Sequence, residues 1–499
     1  MKLRVPVGIA VAVIVGIVGA FTINDSLVGV FYDDGLYAGL ALALGTGQGY
    51  VHLHLPGAPA AVHYPPLYPV LLAPLFGALP LSAAALAAKI LNLILAATAA
   101  GLVAWHAART EIRSILGEGL PRWLAPVIVA AAAISIPVLA TQAVLFSEPL
   151  FAVLFAAAII AADRDPPRPV LAGTFAALAL LTRSIAIAAG AGIVVYLLLV
   201  RRTPRRLALG VVGPVAVAAL GWGLWVMTHG RDIDPALGLN YGGYDDVVSQ
   251  TGLGAFGASL LDLPRPLGAL TLAWLRVPIV YQVVGLAALA VGLYGLALLA
   301  RRSAAGWSLI GYLAILAVWP YPADRFLWAV LPWLALAWTA GAVALARRQP
   351  RLRVAVLALA ACIAVGYGLN EVRGLAGGWW GTTARGISAN FRELLPAIAA
   401  LEGSAVVATD DEALVWLYTG RKAVPFYLWS RRGREVVEPP PAEHRAYLER
   451  QGVTHVLLTG RGSGSDRELD ALLGTYRGWL VVTRVWPGSR VLLRVGPRS

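Results

Sequence analysis

Apolar runs recur along the first 371 residues, and cationic side chains gather in every second gap between them. A helix that crosses the hydrocarbon core needs about 20 apolar residues, and cytoplasmic loops collect Lys and Arg. The runs lie near 5–23, 83–106, 124–143, 148–162, 169–182, 184–200, 207–228, 277–300, 303–320, 325–346 and 353–371. One set of gaps carries seventeen cations: Lys2, Arg4, Arg109, Arg113, Arg122, Arg164, Arg168, Arg201, Arg202, Arg205, Arg206, Arg301, Arg302, Arg347, Arg348, Arg351 and Arg353. The other set carries only Arg183, Arg231, Arg265, Arg276 and Arg325. The bias predicts a cytoplasmic N-terminus, with the first run an uncleaved signal anchor, and an external C-terminus.

The chain is 59% hydrophobic and 13% charged, where a soluble protein carries about twice that charged fraction. It therefore reads as an α-helical polytopic membrane protein of about eleven spans, residues 1–371, followed by a more polar external domain, 372–499. The net charge of +13 is mainly a topology signal and excludes a nucleic-acid partner, because the cations form no single tract. One cysteine, Cys362, excludes an internal disulfide and a Cys-based zinc site.

The segment "YPPLYPVLLAPLFGALP", 64–80, is apolar but short and broken by prolines at 65, 66, 69, 74 and 80. It reads as an outer interfacial or re-entrant piece. Residues 24–82 then form one external loop without Lys or Arg. Within it, Asp34 to Leu44 reads as a short surface helix, with Leu36, Leu40, Ala43 and Leu44 on one face. Asp33 falls at its N-cap and Asp34 in its first turn, where both favour the positive helix end.

Few other ionisable groups lie on the outer side. "FSEPLF", 146–151, puts Glu148 at the outer start of a run, with Pro149 suited to a first helical turn. "LLTRS", 180–184, puts Arg183 at an outer turn, where it anchors by snorkelling or binds an anion. "YPADRFLWAVLPW", 321–333, puts Asp324 and Arg325 at another outer start, as a local ion pair or as parts of a site. "NYGGYDD", 240–246, offers a second acid pair, Asp245 and Asp246. In "VHLHL", 51–55, His52 and His54 share a face as two metal ligands would. Lys89 lies seven residues inside a run, about 10 Å deep, and either snorkels outward or reaches the same site. Isolated arginines bind phosphate oxygens as a fork, strongly at a low-dielectric boundary, and carboxylates take a proton from a hydroxyl. The set suits a lipid-linked phosphate beside an alcohol. A coupled transporter would instead carry acids and broken helices at mid-bilayer.

In the order "FYDDGLYA", "HYPPLYPVLLAPLFG", "SEPLF", "LLTR" and "RFLWAVLP", residues 1–370 resemble the polytopic GT-C glycosyltransferases. The similarity is to the branch holding the protein O-mannosyltransferases and the lipid A aminoarabinose transferase. The resemblance implies an enzyme of a bacterial-type inner or plasma membrane, with juxtamembrane helices in the first external loop. It implies transfer of one sugar, with inversion, from a polyprenyl-phosphate donor to a lipid, glycan or protein acceptor on the non-cytoplasmic face. Asp33 matches the general base, and Asp34 stands where many members have Glu. His63, before "YPP", matches a basic or aromatic position near the donor phosphate, although His63–Tyr64 replaces the lysine that some members carry. Arg183 and Arg325 match the phosphate clamp, with Lys89 near it, and Glu148 matches the acid of the "SEP" segment. Asp324, Asp245 and Asp246 are supporting or acceptor-side candidates. A divalent cation (Mg, Mn, Ca or Zn) stays open, with Asp34, His52 and His54 as its candidate ligands. Two other classes stay open as well: a carrier or flippase for polyprenyl-phosphate lipids, and an oligosaccharide ligase using a polyprenyl diphosphate.

In the C-terminal domain, 403–426 reads as strand, helix and a second extended piece. Strands are expected at 452–460, 479–485 and 490–495, and helices near 388–401, 441–451 and 466–475. This alternation predicts a small α/β layer. Asp410, Asp411 and Glu412 read as a helix start.

Overall fold

A computed structural model describes residues 4–109, 112, 114–115, 120–243, 247, 260–272, 277–319, 321–374, 376, 382–432, 435–460 and 464–496. The chain folds as two compact units: Met1–Asn24, Lys89–Gly223 and Gly254–Trp379 form one, and Asp25–Ala88, Leu224–Leu253 and Trp380–Ser499 form the other.

The first unit is helical, and each of the eleven apolar runs is helical and lies wholly or mostly in it. Their lengths differ from a set of eleven spans. Leu81–Ala107, Arg205–Asp232, Pro278–Ala300 and Leu352–Arg373 are long and apolar enough to cross a membrane. Leu124–Ala133 and Ile136–Gln142, bent by 59°, make a fifth if counted as one. Glu148–Ala162, Pro169–Leu180 and Ala304–Ala317 have 15, 12 and 14 residues. At 1.5 Å per residue they rise about 18–23 Å, short of a core of about 30 Å. The first two carry proline at N1 or N2, and Ser303 caps the third by accepting from Ala305 N–H. Asp163 adds a second cap, accepting from Ala304 N–H at 2.8 Å while pairing with His106 at 3.0 Å. Small residues let helices close: a Cβ on Gly295 would collide with the carbonyl of Ala337, and one on Gly341 with that of Val291.

The second unit is mixed. Strands β1 (Val406–Ala408), β2 (Lys422–Val424), β3 (Ser430–Arg432), β4 (Glu435–Val437), β5 (His455–Leu458), β6 (Leu480–Trp486) and β7 (Arg490–Val495) form two sheets. The larger has the order β2-β1-β5-β7-β6. β1 runs parallel to β2 and β5, and β7 runs antiparallel to β5 and β6. β3 and β4 form a separate pair. Helices Thr382–Ala399, Glu412–Thr419, Pro441–Arg450 and Gly464–Thr475 accompany them. This is the expected alternation, with β3 and β4 as additions.

The loop 25–80 belongs to the same unit. Leu36, Leu55 and Val62 share a core with Tyr241, Ala408, Phe426, Tyr447 and Leu493. Helix Asp33–Gly45 packs against helix Leu67–Ala78, where Gly45 and Gly77 meet backbone to backbone. The second of these has 12 residues, too short to span at 1.5 Å per residue.

Candidate active site

The two adjacent aspartates have different partners. The helix starts at Asp33, and its N-cap is Tyr32, without a side-chain capping bond. The capping role expected of Asp33 is therefore absent, because the chain enters the helix one residue earlier than the cap pattern suggests. Asp34 does the local bonding, on the loop before the helix. Its Oδ2 accepts from Gly29 N–H at 2.7 Å and its Oδ1 from Phe31 N–H at 2.9 Å. Asp34 is 2% exposed. Burial pushes its carboxyl up to about 6, against the pull of those N–H donors, and the charge of Asp33 adds a little.

Asp33 is half-buried, and Tyr64 Oη donates to its Oδ1 at 2.7 Å. Burial first, then the neighbouring Asp33, raises the Tyr64 phenol well above 10, so it stays a donor. Tyr32, just before Asp33, has a φ of +64°. For an aromatic residue that conformation costs about 1–3 kcal/mol and persists only where the surroundings enforce it. His63 Nδ1 donates to Gly242 O at 2.9 Å. Burial lowers its pKa below 6.5 despite that bond and Asp33, so it is uncharged at neutral pH.

His52 and His54 sit in a turn, rings edge-on at 5.4 Å, and His54 Nε2 lies 2.9 Å from Tyr241 Oη. Burial lowers His52 to about 3 and His54 well below 6.5. Among the described residues no three His, Cys, Asp or Glu side chains group to hold a metal ion. Both Asp34 oxygens already accept backbone N–H groups. Asp34, His52 and His54 therefore do not fit as the expected ligand set. Asp245 and Asp246 lie outside the described residues.

In the helical unit, three motifs far apart in sequence meet. Glu148 opens its helix with Pro149 behind it and has no exposed side-chain surface. Its Oε1 lies within ion-pair distance of both Arg183 Nη1, at 2.9 Å, and Arg325 Nε, at 2.7 Å. Arg183 also donates to Ser147 Oγ at 3.2 Å. The guanidiniums stack reciprocally: Arg183 lies 4.6 Å from the Phe326 ring centroid and Arg325 lies 4.3 Å from that of Phe146. Two cations on one carboxylate leave a net positive cluster. Arg183 is 8% exposed and Arg325 29%, so Arg325 is the accessible member.

Asp324 is exposed and starts its own short helix, and its neighbour Arg325 pairs with Glu148. Lys89 is buried, and its Nζ donates to Asn24 O at 2.9 Å and Asn24 Oδ1 at 3.2 Å.

Some features carry no sequence signal strong enough to find them. Tyr32 is one. The buried set of His54, Tyr241 and Glu412 is another, where Tyr241 Oη donates to Glu412 Oε1. The stacking phenylalanines were visible inside the "FSEPLF" and "DRFLW" motifs, although their partners were not.

Among solved structures, the chain is similar to ArnT from Cupriavidus metallidurans bound to undecaprenyl phosphate, at 17% identity over 98% of each chain and a TM-score of 0.47. The apo form of that protein gives 18% identity over 98% of each chain and a TM-score of 0.48. The Archaeoglobus fulgidus oligosaccharyltransferase, tethered to an acceptor peptide with the NVT sequon, gives 12% identity over 98% of this chain and 74% of that chain, with a TM-score of 0.45. No family model matches the sequence, and no curated protein does.

Proposed function

We propose that this protein is an inverting glycosyltransferase that moves one sugar from a polyprenyl-phosphate donor to a lipid, glycan or protein acceptor at the outer membrane surface. The observation that carries the reading is the meeting of Arg183 and Arg325 on Glu148. A polyprenyl-phosphate sugar is a phosphodiester with one negative charge, and its departing phosphate gains a second. A cluster with one net positive charge, held by ring stacking beside apolar helices, binds the first and stabilises the second as it develops.

In this reading Asp33, held by Tyr64, accepts the proton of an acceptor hydroxyl or amide. The acceptor oxygen or nitrogen forms a bond to the anomeric carbon. The bond from that carbon to the phosphate oxygen breaks, and its electron pair leaves with polyprenyl phosphate. One displacement inverts the configuration. A phosphate leaving group needs no strong general acid, unlike the acid that a glycosidase supplies. Asp34 shapes the turn, and His63 is a neutral hydrogen-bonding neighbour.

The test uses the purified full chain in lipid nanodiscs, with labelled polyprenyl-phosphate sugars and candidate acceptors. Asp33→Asn should lower kcat by about 10²–10⁴-fold, the range for a lost general base; full transfer by this variant ends the base assignment. Arg325→Ala should raise the donor KM more than the acceptor KM, and an equal rise in both counts against a phosphate clamp. Wild-type protein that turns over no donor, even by slow hydrolysis, favours a carrier.

A further inference from the structure

The turn that carries Asp33 is built directly on the first turn of helix Glu412–Thr419. Gly29 has a φ of +105°, and a Cβ there would lie 2.5 Å from Leu414 Cβ and 2.9 Å from Leu414 Cα. A Cβ on Gly35 would lie 2.9 Å from Gly29 Cα and 3.1 Å from Ala413 Cβ. Backbone thus meets helix with no room for a side chain, on both sides of Asp33. Upstream, Val28 N–H donates to Tyr418 Oη and Leu27 N–H to Ser388 Oγ, each at 3.0 Å.

A buried polar link joins the same elements. Glu412 has no exposed surface and accepts from Tyr241 Oη. That phenol has one proton, so the 2.9 Å contact with His54 Nε2 is a bond donated by the histidine. The Tyr32 ring packs on this core, with its hydroxyl beside Tyr241 and Glu412. The carbonyl of Tyr32 accepts from Gly35 N–H at 3.0 Å and Leu36 N–H at 3.2 Å, which start the Asp33 helix. The left-handed Tyr32 and the residue that follows it are therefore held from the C-terminal segment.

We infer that Glu412, with the first turn of its helix, is a positioning device for Asp33: the C-terminal segment sets the backbone on which the proposed base is carried. This rests on the reading of Asp33 as the base. Tyr32, Tyr241, His54, Asp411 and Tyr447 are the titratable groups around Glu412. Burial raises its carboxyl to about 8, so at neutral pH it is largely an uncharged acid and glutamine is a close mimic.

The test reads amide hydrogen exchange at Gly35 and Leu36, together with sugar transfer, in the full chain in nanodiscs. Glu412→Ala should speed exchange at both amides by about tenfold or more. It should lower kcat by about tenfold or more with donor KM within about twofold, as misplacement of a catalytic group does. Glu412→Gln should stay within about twofold of wild type on every measure. Gly29→Ala should reproduce the Glu412→Ala pattern from the other side of the contact. If Glu412→Ala does not fold, Tyr241→Phe replaces it, with about threefold or more in each measure. Unchanged exchange at Gly35 and Leu36 in these variants overturns the inference. So does a loss that glutamine fails to rescue. If Asp33→Asn keeps full transfer, the base reading falls, and the exchange data alone still decide whether Glu412 holds the turn.

Discussion

Buried carboxylates occur in both units, and the two units compensate them differently. In the helical unit, Glu148 meets two guanidiniums. In the mixed unit, Asp34 meets two backbone N–H groups and Glu412 meets a phenol. Burial then raises Asp34 to about 6, Asp411 to about 7 and Glu412 to about 8. Paired cations leave a net positive cluster around the carboxylate. Neutral donors offset burial only in part, so these carboxyls stay raised. The first arrangement suits binding a phosphate, and the second suits holding a neighbouring residue, Asp33, in place.

The sharpest way to break this contrast is to remove one arginine. Arg183→Met leaves Glu148 buried with less countercharge and should cost about 3–5 kcal/mol, read as a fall in the unfolding midpoint in nanodiscs. Adding Glu148→Gln should restore most of it; no recovery would mean that the ion pair is not what stabilises the cluster. In the other unit, Asp34→Asn loses one of two backbone acceptors and should cost about 1–3 kcal/mol. Asp33→Asn should leave the midpoint nearly unchanged, and equal losses would erase the distinction between the two aspartates.

A third prediction concerns pH. Glu412 has a folded pKa above its unfolded value near 4.5, so the folded state keeps a proton that the unfolded chain loses. Its contribution is fully present at low pH and is lost as pH rises toward 8. Asp411 acts in the same sense up to about 7. His52, lowered to about 3, acts oppositely but only below its unfolded value of 6.5. Between pH 8.5 and 6.5 the acids dominate, and Glu412 alone should return on the order of 2 kcal/mol. The midpoint should therefore be higher at pH 6.5, and Glu412→Gln should flatten the slope. The smallest effect is expected at Asp324, which is exposed. Asp324→Ala should change stability by less than about 0.5 kcal/mol and leave transfer intact.

Much of this was legible along the chain. Period and charge marked each apolar helix of the first unit, and alternation marked the α/β elements after residue 403, because both signals are local. Span count was less legible, because a short apolar run marks a helix whether or not that helix is long enough to cross a membrane. Glu148, Arg183 and Arg325 were each visible as isolated charges beside apolar runs, but their meeting on one oxygen was not.

By itself, then, the sequence determined where most helices and strands form, which loops collect cations, and which ionisable residues stand apart from them. Only the tertiary structure decided which aspartate of "FYDDGLYA" bonds the backbone and which faces a tyrosine. It also brought the first loop onto helix Glu412–Thr419, nearly 380 residues away. The reason is physical: propensity and hydropathy act over a few residues, whereas burial, countercharge and backbone close approach depend on neighbours that only folding supplies.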